Sequence, residues 1–329
     1  MPDKLTIATW NINSVRLRLP IVERFLSEQA PDVLCLQETK CPDANFPLNA
    51  LRKLGYEHIA IHGQKGYHGV ATISRRPFVA QEKREFCGKG DSRHVATEVA
   101  FNGSSVRLHN FYVPAGGDEP DPEVNDKFAH KLAFLDEMTE WFTDTTKPTV
   151  IVGDLNIAPY EHDVWSHKKL LKVVSHTPLE CEKLETMREA GPFVDLMRRH
   201  VPMEEKLYTW WSYRARDWSG ADKGRRLDHI WSTPDLAPLS SDIRVLREHQ
   251  RSGSNIHGDE ERQEHSRRAA TRYTKGEHWH QRPAGCSVVA GFGSSDTARI
   301  AIAEVTFASN DTFLNRVANK TTKGSARSR

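Results

Sequence analysis

A short apolar run that ends in polar residues is the feature that most constrains how this chain can fold. Residues 150–152 are β-branched and lead into Gly153, which predicts a buried strand that ends at a turn. If the chain stays extended, Asp154 and Asn156 point to one side while Leu155 points into the core. A carboxylate and an amide would then face one reacting group. The alternative is an Asx turn that only closes the strand.

Other predicted strands end in the same kind of polar side chain. Residues 5–14 predict a strand that finishes near Asn11, and residues 33–39 predict one that finishes near Glu38. A further strand, predicted over residues 226–231, carries Asp228. Each of these residues alone is better explained as a cap or turn residue. Together, carboxylates and amides without a His or Cys cluster favour a hard cation, Mg²⁺ with Mn²⁺ as a substitute, over zinc.

The remaining pattern alternates helices with strands, which indicates an α/β protein. Helical spacing of apolar residues predicts helices over residues 17–29, 125–143 and 182–200. Period-2 alternation predicts antiparallel strands over residues 69–74, 95–101 and 106–113, with a hairpin turn at Asn102-Gly103.

Composition narrows the class of protein further. A chain of 329 residues with 38% apolar residues can bury a large core. The first residues lack an apolar signal sequence, and no run approaches the roughly 18 apolar residues that span a bilayer. Five scattered cysteines argue against a disulfide framework. We therefore expect a cytoplasmic protein with no membrane association, and we expect a monomer.

Five segments in register resemble one known family. They are Trp-Asn-Ile-Asn-Ser at 10–14, Leu-Gln-Glu-Thr-Lys at 36–40, Asn-Phe-Tyr-Val-Pro at 110–114, Gly-Asp-Leu-Asn-Ile-Ala-Pro at 153–159 and Arg-Leu-Asp-His-Ile-Trp at 226–231. Together they resemble the exonuclease III type of apurinic/apyrimidinic endonuclease, within the endonuclease/exonuclease/phosphatase superfamily. The resemblance spans about residues 4–247. It implies a four-layered α/β sandwich of two face-to-face mixed β-sheets flanked by helices, in a nuclease domain over residues 1–248.

The resemblance also implies roles at the reacting phosphate. Glu38 would be the principal metal ligand with Asn11 beside it, and the metal site would extend to Asp154 and Asn156. Asp154 would activate the attacking water or protonate the leaving group, Asn156 would hold the phosphate, and Tyr112 would stabilise its developing charge. Electrostatic stabilisation of this kind lowers the barrier to phosphodiester hydrolysis.

Further roles concern proton transfer and DNA. Asp228 would orient a catalytic histidine, and Trp210 would line a pocket for a base-free sugar, unless it is simply a core residue. Lys40 and Arg93 are the other expected DNA contacts. The implied substrate is double-stranded DNA with abasic sites or 3′ ends.

The end of the chain departs from the family. Members carry a terminal Ser-Asp-His before a last strand, and this chain contains no such tripeptide. Residues 249–329 hold 13 Lys+Arg against 8 Asp+Glu, a net charge of +5, and read as an atypical basic tail that is largely disordered. Within the tail, residues 299–307 offer a final strand, with Thr297 where the histidine would stand and His257 as another candidate. A frameshifted or recombined end is the alternative explanation of this tail. A catalytically impaired paralogue that still binds damaged DNA is the alternative to an active nuclease.

Overall fold

Two six-stranded sheets organise the part of the chain that the structure, a computed structural model, describes: residues 4–212, 221–246 and 302–308. The first sheet contains β1 (Lys4–Asn11), β2 (Val33–Gln37), β3 (His58–His62), β4 (Val70–Ser74), β13 (Ser240–Leu246) and β14 (Ile302–Ala308). The second contains β5 (Phe78–Lys83), β6 (His94–Phe101), β7 (Ser104–Tyr112), β8 (Thr149–Asp154), β9 (Val194–Asp195) and β12 (Asp228–Ser232). A separate ribbon pairs β10 (Trp210–Trp211) with β11 (Gly224–Arg225).

Both sheets are mixed. The first has the strand order β13-β14-β1-β2-β4-β3, in which only the β1–β2 pair is parallel. The second has the order β5-β6-β7-β8-β12-β9, in which only the β7–β8 pair is parallel. The hairpin predicted at Asn102-Gly103 joins β6 to β7 and is confirmed.

Helices cover the outer faces of the sheets. The helices are α1 (Leu19–Glu28), α2 (Leu48–Arg52), α3 (Asp126–Phe142), α4 (His167–Leu170), α5 (Pro178–Ala190) and α6 (Leu196–His200). Side chains of α1 and α2 pack on the first sheet, and side chains of α3 and α5 pack on the second. A third apolar layer fills the space between the sheets. The fold is therefore the predicted four-layered α/β sandwich, and no helix in the described ranges is long and apolar enough to cross a membrane.

Local sequence signals account for the helix boundaries. Asn125 caps α3 by accepting a hydrogen bond from the backbone N–H of Lys127 at 3.0 Å. Thr177 and Glu180 form a capping box at the start of α5, where Pro178 fits because its position needs no N–H donor. These caps fix where α3 and α5 begin on the outer face of the second sheet.

One predicted helix was wrong. A single helix over residues 182–200 is replaced by α5, which ends at Ala190, and by α6, which begins at Leu196. Gly191 and Pro192 interrupt the helix because proline cannot continue the backbone hydrogen bonding. The short strand β9 lies between the two helices and pairs with β12.

The final strand proposed for residues 299–307 is present as β14. It lies between β1 and β13 and is antiparallel to both, with Leu5 opposite Phe307 and Val245 opposite Ala303. The first sheet therefore includes a segment beyond residue 248, and a domain limited to residues 1–248 would lack its strand β14. Thr297 and His257 lie outside the described residues.

Candidate active site

The layer between the sheets changes from apolar to polar at one rim. Val150 and Val152 of β8 lie in the apolar layer, and the next residue on the same face is Asp154. In β7 the same face carries Leu108, then Asn110, whose side chain accepts a hydrogen bond from Gln37 of β2 at 2.7 Å. The ends of four strands, β1, β2, β7 and β8, meet at this rim.

Strand register sets three of the predicted site residues side by side. Asp154 lies opposite Tyr112 in the parallel β7–β8 pair and opposite Asp228 in the antiparallel β8–β12 pair. Paired residues on neighbouring strands project to the same face of a sheet. The three side chains, separated by 42 and 74 positions in the sequence, therefore form one row across the second sheet.

An amide connects this row to the first sheet. The Nδ2 atom of Asn11 donates hydrogen bonds to Glu38 Oε1 at 2.8 Å and to Asp154 Oδ2 at 2.7 Å. Asp154 is fully buried, whereas 14% of the Glu38 side chain is exposed. Glu38 also forms an ion pair with Lys40 at 3.0 Å. The structure thus brings together two carboxylates and an amide that were predicted from separate strand ends.

Asn156 reaches the site by a backbone conformation that the extended-strand prediction did not include. β8 ends at Asp154, and Asn156 has a φ of +56° in the left-handed region, which asparagine tolerates better than most residues. Its backbone N–H donates to Asp154 Oδ1 at 3.1 Å, and its side-chain Nδ2 donates to the carbonyl of Val113 at 2.8 Å. The two residues are neighbours because the chain turns, while Leu155 is buried as predicted.

Asp228 is a buried carboxyl group with incomplete hydrogen bonding. Its exposed fraction is 2%, and its Oδ1 atom has no hydrogen-bond partner among the described residues. Burial raises the pKa of Asp228 to about 7, partly opposed by a hydrogen bond from the Thr209 side chain. The Thr209 hydroxyl also accepts the backbone N–H groups of Leu227 and Asp228, each at 3.0 Å.

Tyr112 is packed against cationic and aromatic neighbours. The guanidinium carbon of Arg93 lies 5.0 Å from the centre of the Tyr112 ring, and the ring of His68 lies 6.2 Å from it. Arg93 is 7% exposed and forms an ion pair with Asp91 at 2.8 Å, so its observed role is to pack against Tyr112. Its contact with DNA stays a prediction. Burial and the nearby Arg93 charge lower the pKa of His68.

The two adjacent tryptophans differ in their environment. Trp211 is 4% exposed and belongs to the layer between the sheets, so packing explains it. Trp210 is partly buried and packs on a separate cluster that includes Leu227, with the Arg225 guanidinium carbon 5.6 Å from its ring centre. Trp210 thus lies beside the backbone that leads into Asp228.

Sequence reasoning missed several supporting residues. Thr209, His68 and Lys131 contact the site residues or their backbone. Asn110 and Gln37 lie in the segments that resemble the family, and neither has a predicted role. A polar residue at an inward-facing position would have been the signal for Asn110 and Gln37. No local signal was available for Lys131, which lies within an ordinary amphipathic helix.

The fold and this rim define a class, a four-layered α/β sandwich with a polar site at one end of its two sheets. Residues 8–248 match the Endonuclease/Exonuclease/phosphatase family, and the chain belongs to that family. Within the family, similarity to an exodeoxyribonuclease III and to an AP endonuclease confirms the resemblance to the exonuclease III type.

Three similar proteins illustrate the relationship. Exodeoxyribonuclease III of Haemophilus influenzae is 28% identical over 250 residues, covering 72% of this chain and 91% of that protein. An AP endonuclease from Archaeoglobus fulgidus superposes with a TM-score of 0.70 at 27% identity, covering 92% of this chain and 99% of the other. A 3′ phosphatase from Neisseria, solved with a product DNA hairpin, superposes with a TM-score of 0.71 at 26% identity and the same coverage.

Proposed function

We propose that this protein is a divalent-metal-dependent DNA repair nuclease that cuts phosphodiester bonds 5′ to abasic sites and removes nucleotides from DNA 3′ ends. The observation that carries the proposal is the Asn11 amide, which joins Glu38 of one sheet to Asp154 of the other. Asp154 stands in one row with Tyr112 and Asp228. The names of the similar proteins support the choice of DNA as substrate.

The residues of the site suit hydrolysis at phosphorus. A water oxygen forms a bond to phosphorus while the bond to the leaving oxygen breaks, and negative charge grows on the phosphate oxygens. Asp154 would orient the water and accept its proton. The Asn156 amide and the Tyr112 hydroxyl would donate hydrogen bonds to the phosphate oxygens, where preorganised donors lower the barrier.

The donor set fits a hard cation. In residues 4–212, 221–246 and 302–308, no three or more His, Cys, Asp or Glu side chains are grouped to hold a metal ion. Mg²⁺ commonly takes one or two carboxylates and keeps several waters, so Glu38 with Asn11 and Asp154 would be sufficient to hold it. A bound Mg²⁺, or Mn²⁺ in its place, would neutralise charge on the phosphate and favour ionisation of a water. Lys40, paired with Glu38, would then be released toward the DNA backbone.

A duplex with a single abasic site tests the proposal. Incision should be abolished by a chelator and restored by Mg²⁺ or Mn²⁺. Glu38→Ala and Asp154→Ala should each lower kcat by at least about 100-fold, because the first removes the principal metal ligand and the second removes the group that accepts the proton of the attacking water. Glu57→Ala, an exposed carboxylate outside the site, is the matched control, and circular dichroism checks folding. Incision that persists in chelator would rule out the metal-dependent mechanism.

Two observations favour a second function. Asp228 Oδ1 has no hydrogen-bond partner among the described residues, and the chain lacks the Ser-Asp-His tripeptide. A paralogue that binds damaged DNA but has lost one proton-transfer group would show tight binding with a rate about 10² to 10⁴-fold below that of its relatives. Measuring affinity and single-turnover incision on the same duplex separates the two functions.

A further inference from the structure

A fully buried ion pair lies directly behind the candidate active site. Lys131 of α3 pairs with Glu180 of α5, and both side chains have zero exposure. The second carboxylate oxygen of Glu180 accepts the backbone N–H groups of Ser175 at 2.7 Å and Thr177 at 2.9 Å, and the Thr177 hydroxyl at 2.9 Å. The carboxylate therefore has its own partners at the helix start.

The fold alone does not require charges at this position. Burying two ions costs desolvation free energy, and well-packed apolar side chains of similar volume often replace a buried pair without loss of stability. The other partners of the ammonium group are more informative. Lys131 Nζ also donates to the backbone carbonyl of Asn156 at 2.9 Å and to that of Ala115 at 3.4 Å.

These two carbonyls belong to the segments that leave the site. Ala115 follows Tyr112 at the end of β7, and Asn156 follows Asp154 at the end of β8. Asn156 lies beyond the end of β8 with a φ of +56°, and its carbonyl has a partner on α3, Lys131, in place of a neighbouring strand. The Lys131 chain approaches closely, since a Cβ added at Gly116 would lie 2.9 Å from Lys131 Cδ.

We propose that Lys131 is a positioning residue for Asn156 and for the segment after Tyr112, acting through their backbone carbonyls. Its ammonium group holds both segments at one fixed point, and Glu180 supplies the counter-charge that lets the ammonium stay buried. The inference rests on the proposed nuclease function for its kinetic consequence. Its structural consequence, the fixed conformation of Asn156, is independent of that function.

The test uses the full chain and a charge-neutral pair of substitutions. Lys131→Met with Glu180→Gln removes both charges while the introduced glutamine keeps an acceptor for the helix cap, so the melting temperature should stay above that of Lys131→Met alone. On the abasic duplex with Mg²⁺, kcat should fall about 10- to 100-fold, as expected when a catalytic group is displaced, with KM changed less than about threefold. Hydrogen exchange at the Asn156 amide, which donates to Asp154 Oδ1, should become faster in the same variant.

Two further variants separate positioning from stability. Asp136→Asn with Lys183→Met removes an exposed ion pair that joins the same two helices, and should leave kcat and exchange at Asn156 unchanged. Glu180→Gln alone should lower the melting temperature, because Lys131 loses its counter-charge, yet keep kcat within about threefold, because the buried lysine can shed its proton and still donate to the two carbonyls as a neutral amine. If the double variant does not fold, Glu180→Gln still separates the two roles. A lower melting temperature with unchanged kcat supports positioning by Lys131, and a kcat that falls with the melting temperature contradicts it.

The outcomes distinguish the two proposals. A wild-type chain that never cuts DNA contradicts the proposed function, while faster exchange at Asn156 in the charge-neutral variant still supports the role of Lys131. If kcat and Asn156 exchange simply follow the melting temperature across all the variants, Lys131 is only a structural residue and the inference is overturned.

Discussion

At the scale of single residues, burial and hydrogen bonding set the chemical state of the site. Asp228 is the clearest case, because burial raises its pKa to about 7 and the Thr209 hydroxyl opposes that rise only in part. Asp154, one strand away, has both carboxylate oxygens hydrogen-bonded, to Asn11 and to the Asn156 backbone. Neighbouring carboxyl groups in different environments are how one site separates acid and base roles.

Asp228→Asn should stabilise the metal-free protein at alkaline pH. An unfolded Asp titrates near 4, so folding takes up a proton between about pH 4 and 7, and the stability that protonation gives is lost as pH rises through 7. The introduced asparagine would mimic the protonated form at every pH. The melting temperature in chelator should rise by at least about 2–4 °C at pH 8, equivalent to about 1 kcal/mol or more, and by a clearly smaller amount at pH 5. Asp144→Asn, at an exposed turn, is the control, and equal shifts at both pH values would contradict the raised pKa.

Trp210→Ala should impair incision at abasic sites more than it impairs binding to undamaged duplex. Affinity for undamaged DNA comes mostly from phosphate contacts, whereas a pocket for an extruded sugar affects damaged sites only. We expect kcat/KM on the abasic duplex to fall by about 10-fold or more, equivalent to about 1.4 kcal/mol of lost contact with the sugar. Trp165→Ala, from the same apolar cluster, controls for lost packing. Equal losses in incision and in general affinity would make Trp210 a core residue.

Among the strands, β8 depends on one glycine, Gly153, to pack closely against β7 next to the site. Gly153 has a φ of +140°, and a Cβ at this position would lie 2.0 Å from the carbonyl oxygen of Phe111 in β7. The two strands approach so closely that no side chain fits between them. This contact sets the register in which Tyr112 meets Asp154.

Gly153→Ala should lower the free energy of unfolding by at least about 2–3 kcal/mol, because backbone strain and a steric clash add together. Gly90→Ala is the matched control: its φ is +67°, but nothing lies within 4 Å of the added Cβ. The control should lose only the backbone term, roughly 1–2 kcal/mol. Urea unfolding measures both, and a Gly153 variant no less stable than the Gly90 variant would contradict the close approach.

At the scale of the whole molecule, the two ends of the chain meet in one sheet. β14 places Val305 and Phe307 in the apolar layer between the sheets, beside Leu5 and Ile7 of β1. It also joins β13 to the rest of the first sheet. Without it, β1 would have an unpaired edge next to an uncovered apolar face, which is a template for aggregation.

A chain truncated after residue 248 should therefore be insoluble or unfolded. A chain truncated after residue 309 keeps β14 and should remain soluble, with a cooperative thermal transition. Circular dichroism and size-exclusion chromatography of the two truncations measure the difference. A stable, monomeric 1–248 fragment would show that β14 is dispensable and that the nuclease domain ends near residue 248.

Most of the helices and strands, and the polar ends of the strands, follow from local side-chain patterns in the sequence. Apolar runs, period-2 alternation and helical spacing predicted β1, β2, β6, β7, β8, α1 and α3 to within a few residues, because these patterns depend only on neighbouring side chains. The resemblance to a known family then gave each predicted site residue an expected role. A pattern of apolar spacing could not show that Gly191 and Pro192 would break a helix, since spacing alone ignores the missing proline N–H.

Tertiary packing selects which of these elements meet. The row of Tyr112, Asp154 and Asp228 depends on strand register. The placement of β14 beside β1 joins residues about 300 positions apart, with Lys4 opposite Ala308. The left-handed turn at Asn156 and the buried Lys131 behind it likewise depend on contacts between distant segments. Local side-chain patterns carry no information about such pairings, because the free energy that selects them comes from burying the two sheets and their helices together.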